Sequence, residues 1–391
     1  MKYDTIIVGA GSAGSIIATR LTEDPNHSVL LLEAGDDYSE IDDLPEEVKF
    51  GYKTSNEIWT SEHNWQFTAR GTKDATIDIP RGKITGGSSA INGQVFLRAL
   101  PEDFDKWVAS GNDKWGFQDV LPYYNKLETD MTYKENPGDF HGSEGPIICH
   151  RFSEEEWLPG SKAFVDACLE AGYPYCEDAN LPDTHGVGPI PLNNPDGIRW
   201  STAIGYLSMS RSRLNLTIRA NVSAKKLLFD TSKPTPHAYG IEVESQGENF
   251  TVEGKNIVLC AGAIGSPHIL LLSGIGPKSH LEKHGIDCIL DSPGVGQNLR
   301  DHPLLPLKWA TKPSVELDPL GPSGQILLRY TADGSPLKND MIVYFGAITS
   351  KRRDQGGTKS EPVGIGAGLG LNLALSKGEL KLLTTSQTDQ P

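Results

Sequence analysis

Apolar positions along this chain change period several times, and each change marks an element. Ile6, Ile7 and Val8 form an unbroken apolar run of the kind a strand covered on both faces needs, and Val29 to Leu32 form a second. Between them Ala13, Ile16, Ile17 and Leu21 recur at helical spacing, so the first third of a parallel α/β unit is predicted. Val120 to Tyr124 falls in a helical stretch, and Ser161 to Ala171 reads as a helix stopped by Gly172. Leu214 to Arg219 and Leu227 to Phe229 read as strands. Alternation at Tyr239, Ile241 and Val243, then at Phe250 and Val252 with Gly247 between, predicts a hairpin completing a small antiparallel sheet. Asn256 to Cys260 reads as a buried strand returning to the parallel sheet. A helix capped by Ser266, opened by Pro267 and stopped by Gly274 follows it. Leu371 to Leu383 reads as a strand, turn and strand.

The first strand and helix are joined without a gap by Gly9-Ala10-Gly11-Ser12-Ala13-Gly14. Gly9 permits the tight turn, Gly11 lets backbone approach a pyrophosphate, and Gly14 lets helix and strand pack closely, with the helix amides facing the anion. Glu33 ends the second apolar run, where a carboxylate accepts hydrogen bonds from a ribose and disfavours a 2′-phosphate. These residues predict a dinucleotide site and leave NAD and FAD both open.

Composition narrows the class. A chain of 391 residues buries a large core and suggests two or so domains, possible interleaving included. The net charge of −15 argues against nucleic acid or an anionic membrane surface as partner. No apolar run approaches the roughly 20 residues that cross a bilayer, so no membrane partner is expected. The N-terminus enters the first strand directly, which leads us to expect a cytoplasmic protein. Five dispersed cysteines without a Cys-x-x-Cys pair fit reduced thiols, and no metal site is expected.

From Pro80 to Phe96 the chain presents backbone: Arg81 and Lys83 introduce paired glycines, serine hydroxyls and main-chain amides suited to phosphate or to the polar edge of a flavin. Gly82-Lys83-x-x-Gly86-Gly87-Ser88-Ser89-x-Ile91-Asn92-Gly93 resembles the first signature of the glucose-methanol-choline (GMC) oxidoreductases, with Thr85 where an aliphatic residue is usual. Gly262-Ala263-x-x-Ser266-Pro267-x-Ile269-Leu270-x-x-Ser273-Gly274-Ile275-Gly276 resembles the second. The resemblance implies an α/β fold in which a Rossmann-like FAD-binding domain (1–152 and 197–303) interleaves with an incomplete α+β substrate domain (153–196 and 304–391). It implies FAD as cofactor, noncovalent because Ile91 stands where some relatives link the flavin to His. It places Ile84, Gly86, Ser88 and the segment Asn92, Gly93, Gln94 and Val95 along the cofactor, with Ile84 and that segment near the isoalloxazine ring. Val222 backbone would meet the adenine edge. Gly9, Gly11, Ser12, Ala13, Gly14, Glu33, Ala34, Gly262 and Ala263 complete the cofactor set.

The implied activity is oxidation of a small-molecule alcohol, choline among the candidates, by hydride transfer to flavin N5 while a His takes the hydroxyl proton. In the family that base lies beyond the counterpart of the last residue here, so the catalytic residues are unknown and a C-terminal companion polypeptide is expected. His302 beside Asp301 is the nearest substitute, although neighbouring side chains usually point apart. A non-catalytic flavin-binding or partner subunit is the alternative.

Overall fold

The structure is a computed structural model and describes residues 2–51, 57–232, 234–317, 321–350 and 362–391. In chain order, the elements that position the site begin with β1 (Lys2–Val8), α1 (Ser12–Leu21), β2 (Val29–Leu32), α2 (Phe117–Leu127), α3 (Pro159–Glu170) and β3 (Gly186–Pro189). They continue with β4 (Leu216–Arg219), β5 (Ser223–Asp230), β6 (His237–Ser245), β7 (Glu248–Leu259) and α4 (Gly262–Leu272). The last are β8 (Leu304–Ala310), β9 (Gly324–Tyr330), β10 (Met341–Ser350) and β11 (Pro362–Leu371).

One six-stranded sheet has the order β4-β2-β1-β7-β6-β5. β4, β2, β1 and β7 run parallel, whereas β7, β6 and β5 are antiparallel to one another in turn. The unbroken apolar runs follow from cover on both faces. Ile6, Val8, Leu30 and Leu32 pack with Ile241, Val243 and Ile269 on one side, while Ile7, Val29 and Leu31 pack with Ala18 and Leu207 on the other. Full burial of each such side chain is worth about 1.5–3 kcal/mol.

Three expectations change here. The hairpin belongs to no separate sheet: its second strand runs on into the stretch expected as a buried strand to form one twelve-residue strand, β7, in which Asn256 is exposed and Ile257 to Leu259 only half-buried; it is antiparallel to β6 along its first half and parallel to β1 along its second. The helix expected to start at Pro267 starts at Gly262, whose backbone is left-handed at φ 76°. Pro267 forfeits the bond to the Ala263 carbonyl, and Ala263 is exposed, so water can serve that group. Finally, Gly378–Glu379 does not extend the second sheet but pairs with Gln297–Leu299.

That second sheet is five-stranded and antiparallel, ordered β8-β11-β10-β9-β3. α3 covers one face, with Val165 packed among Trp157, Val187, Ile326, Leu328 and Phe345. Gly172, left-handed at φ 91°, follows the end of α3. The outer strand β8 is exposed along its whole length, Leu305 by 61%.

Candidate functional site: a dinucleotide cavity

The turn between β1 and α1 is closed too tightly for any side chain at two of its glycines. A Cβ on Gly9 (φ 96°) would lie 2.6 Å from the Cys260 carbonyl oxygen, and one on Gly14 would lie 1.9 Å from the Gly9 oxygen. Gly11 differs. Its Cβ would meet only Gly87 Cα, at 3.7 Å, so the space above Gly11 is kept for something other than protein. The Gly86–Gly87 turn lies against this one: the Gly86 amide donates to the Ala10 carbonyl at 2.7 Å, and a Cβ on Gly87 would stand 2.6 Å from Gly11 Cα. Two glycine-rich segments distant in sequence thus form one backbone surface.

Glu33 is buried at the end of β2 and accepts from the Ala10 amide at 2.9 Å and the Gly35 amide at 3.0 Å. Each carboxylate oxygen keeps a further lone pair. Burial pushes its pKa up to about 7, against the lowering effect of the Gly35 and Ala10 amides.

These groups open onto a cavity of about 590 Å³. Of the residues expected to bind cofactor, Gly9, Gly11, Ser12, Ala13, Glu33, Ala34, Ser88, Val222, Gly262 and Ala263 line it. Gly14 and Gly86 act behind the wall as packing and turn residues, and Ile84 is buried at 1% exposure. Asn92 and Gly93 are exposed, Gln94 is buried with a left-handed backbone (φ 65°), and Val95 pairs with Leu192. The cavity therefore gathers the residues expected to hold the nucleotide, and the segment assigned to the flavin ring lies outside it. Val222 donates its amide to the Glu33 carbonyl at 2.9 Å, which leaves only its carbonyl for an adenine edge.

Residues outside the expected cofactor set complete the wall. Arg81, His268 and Ala224 line the cavity, as do Gln387 to Gln390. Trp65 and Phe67, stacked with centroids 5.6 Å apart, form an aromatic wall, with the Lys83 ammonium 5.3 Å from the Trp65 ring centroid. Gln390 closes against this side, accepting from the Thr68 amide and donating to its hydroxyl, both at 2.9 Å.

Other ionisable groups are committed elsewhere. Glu128, Asp130 and His141 converge closely enough to hold a metal, a grouping their sequence spacing did not announce. Their lone pairs face cations instead: Arg98 reaches Glu128 at 2.5 Å, Arg151 reaches Asp130 at 2.7 Å and Asp178 at 2.5 Å, and His141 Nε2 lies 2.9 Å from Asp178. Burial works against a charged His141, but the Asp130, Asp178 and Glu128 carboxylates overcome it and raise its pKa to about 10. With His141 protonated the network balances three cations and three anions, so a divalent cation has no charge to neutralise. His280 and His284 are spaced four apart, yet His280 Nε2 accepts from the Leu382 amide and His284 Nδ1 lies 2.9 Å from the His280 carbonyl. His63 sits buried between Tyr38 and Glu47. His302 does turn to its neighbour, contrary to expectation, with Nδ1 3.1 Å from Asp301, and both are more than half exposed.

The GMC oxidoreductase family model matches residues 3–304, across both glycine segments and α4. The chain belongs to the GMC oxidoreductase family. An uncharacterised GMC-type oxidoreductase of Rhodococcus erythropolis is 39% identical over 310 residues, 79% of this chain and 60% of that protein. An oxygen-dependent choline dehydrogenase of Photobacterium profundum is 39% identical over 305 residues, 77% of this chain and 51% of its own length. The crystal structure of pyridoxine 4-oxidase from Mesorbium loti superposes with a TM-score of 0.86 at 29% identity, covering 100% of this chain and 75% of that one. The chain thus spans between half and two thirds of the curated relatives it matches. For a GMC protein the dinucleotide is FAD. The open space at Gly11 and the spare lone pairs of Glu33 fit its pyrophosphate and ribose. Among the described residues no helix is long and apolar enough to cross a membrane.

Proposed function

We propose that this chain is the cofactor-holding part of an FAD-dependent oxidoreductase that oxidises the CH–OH group of a small alcohol. The walled nucleotide cavity beside an exposed Asn92–Gly93 segment carries this reading. Bound FAD supplies a two-electron acceptor, and the alcohol becomes a carbonyl by giving up a hydride and its hydroxyl proton. The chain's own part is to hold the pyrophosphate over Gly11 and the ribose on Glu33, and to turn the remaining half of the cofactor toward Asn92–Val95. The proton needs a base within about 2.6–3.2 Å of the hydroxyl. Its supply by polypeptide beyond residue 391, in continuation or as a separate companion, is part of the proposal. So are the domain boundaries set out above, noncovalent attachment and a cytoplasmic location.

Flavin-loaded chain mixed anaerobically with choline, primary and aryl alcohols is expected to keep its oxidised spectrum, since loss of a general base costs a factor of about 10² to 10⁴. Addition of the polypeptide encoded immediately downstream should restore bleaching. Rapid bleaching by the 391 residues alone would sink the proposal that the base lies elsewhere. Acid precipitation should leave all flavin in the supernatant, and flavin retained in the pellet would contradict noncovalent attachment.

A further inference from the structure

His268 is 8% exposed, yet its ring has no hydrogen-bond partner among the described residues. Its nitrogens are not among the fully enclosed side-chain atoms left without a partner, so the unpaired ring meets open space, where a bound molecule can supply the partner that the polypeptide does not. Its position supplies the direction. The start of α4 forms one wall of the cavity, and His268 and Ile269 are the last residues of that wall, with Ile269 also packed in the core between α4 and the sheet.

Three observations narrow the partner. The helix N-terminus, where amides and dipole favour the pyrophosphate, lies at Gly262, and His268 is six residues further on, roughly 9 Å along the axis. That is too far down the helix for the same anion. The ring is also neutral, because burial pulls its pKa down and no carboxylate is among the causes acting on it. A neutral imidazole offers one donor and one acceptor, which suits an uncharged heterocycle better than a phosphate. Finally, Val222 and Ala224 share this cavity, and Val222 has spent its amide on Glu33. A base seated there finds an acceptor in the Val222 carbonyl and needs another polar group from the α4 side.

We infer that His268 recognises the adenine base of the bound dinucleotide, completing from α4 the polar contacts that Val222 begins. The inference rests on the cavity being the FAD site. Glu33 already serves the ribose, so His268 adds selectivity for the purine and not general nucleotide affinity.

Calorimetric titration of flavin-free protein with ADP and with UDP separates these roles, since the two share ribose and pyrophosphate and differ in the base. His268→Ala should weaken ADP about tenfold, leave UDP within twofold, and weaken FAD as much as ADP. His268→Gln, which keeps a donor and an acceptor, should recover most of the ADP affinity. Equal weakening of ADP and UDP would show that the ring touches ribose or phosphate, and no change in either would show that it touches no nucleotide. Either result overturns the inference while leaving the FAD reading intact. If the unaltered chain binds neither FAD nor ADP, the cofactor reading fails first and this inference with it.

Discussion

Gly11 and Gly93 each lie on a glycine-bearing turn assigned to the same cofactor, but their surroundings differ. A Cβ on Gly11 would project into a walled cavity, with Gly87 Cα its only neighbour, at 3.7 Å. A Cβ on Gly93 would meet nothing within 4 Å, and the residue is exposed. The nucleotide half is assembled from neighbouring β-strand ends, two glycine turns and a helix N-terminus, all held by backbone hydrogen bonds. The segment assigned to the flavin ring rests on a polar track, in which His150 Nε2 lies 2.6 Å from Asn194 and Asn194 donates to Gln94. The residues assigned to the nucleotide thus share one walled cavity, and the segment assigned to the flavin ring does not enter it.

The sharpest way to break this comparison uses the two glycines of the first turn. Gly11→Val should leave the fold intact, since the protein has room for the side chain, and should reduce FAD affinity more than 100-fold by filling the pyrophosphate space; this is about 2.7 kcal/mol or more. Gly14→Val should instead prevent folding, because its Cβ would start 1.9 Å from the Gly9 oxygen. Circular dichroism and flavin content distinguish the two. A folded Gly14→Val protein, or normal flavin in Gly11→Val, would remove the turn from the site.

A second test shows whether stability and binding are housed separately. Asp178 accepts from Arg151 at 2.5 Å and the Asn180 amide at 2.9 Å, and its carboxylate lies 2.9 Å from His141 Nε2; none of these residues lines the cavity. Asp178→Asn leaves two buried cations undercompensated and should cost about 3–5 kcal/mol in denaturant unfolding. FAD affinity of the folded fraction should change less than threefold. A parallel loss of both would mean that the network shapes the cofactor site through Asn180, which holds the Phe96 carbonyl and the Arg98 amide.

How far the sequence reveals this molecule depends on the range of the interactions. The β1 turn and Glu33 are readable because strand, glycine and acid follow one another locally, each with a steric or hydrogen-bonding reason for its residue type. The β6–β7 hairpin was readable as a hairpin, but not as a continuation of the main sheet, because period-two alternation says nothing about which edge a strand joins. α4 was misplaced by five residues because Pro267 looks like a helix start, and the exposure of Ala263 explains its tolerance inside. The Thr68–Gln390 pair spans 322 positions and joins polar residues ordinary in any loop. His268 carried no signal of its own, since an isolated His on an apolar helix usually reads as core.

The smallest expected effect concerns pH and sharpens the comparison from the nucleotide side. Burial raises the Glu33 pKa to about 7, above its ordinary value of 4.5. A raised folded-state value means that the neutral form favours the ligand-free fold; that contribution is complete below pH 4.5 and disappears as pH rises through 7. Ribose hydroxyls donate to the carboxylate, so FAD selects the ionised form. Below pH 7 the site must first release a proton, and affinity should fall toward tenfold per pH unit, giving about tenfold weaker binding at pH 6 than at pH 8. Quenching of flavin fluorescence at the two pH values measures the difference. Glu33→Gln, which cannot titrate, should bind more weakly at pH 8 and show a flat profile between them. A flat profile in the unaltered chain would mean that Glu33 stays ionised despite its burial, held by the Ala10 and Gly35 amides, and that the walled half of the site is wetter than its geometry implies.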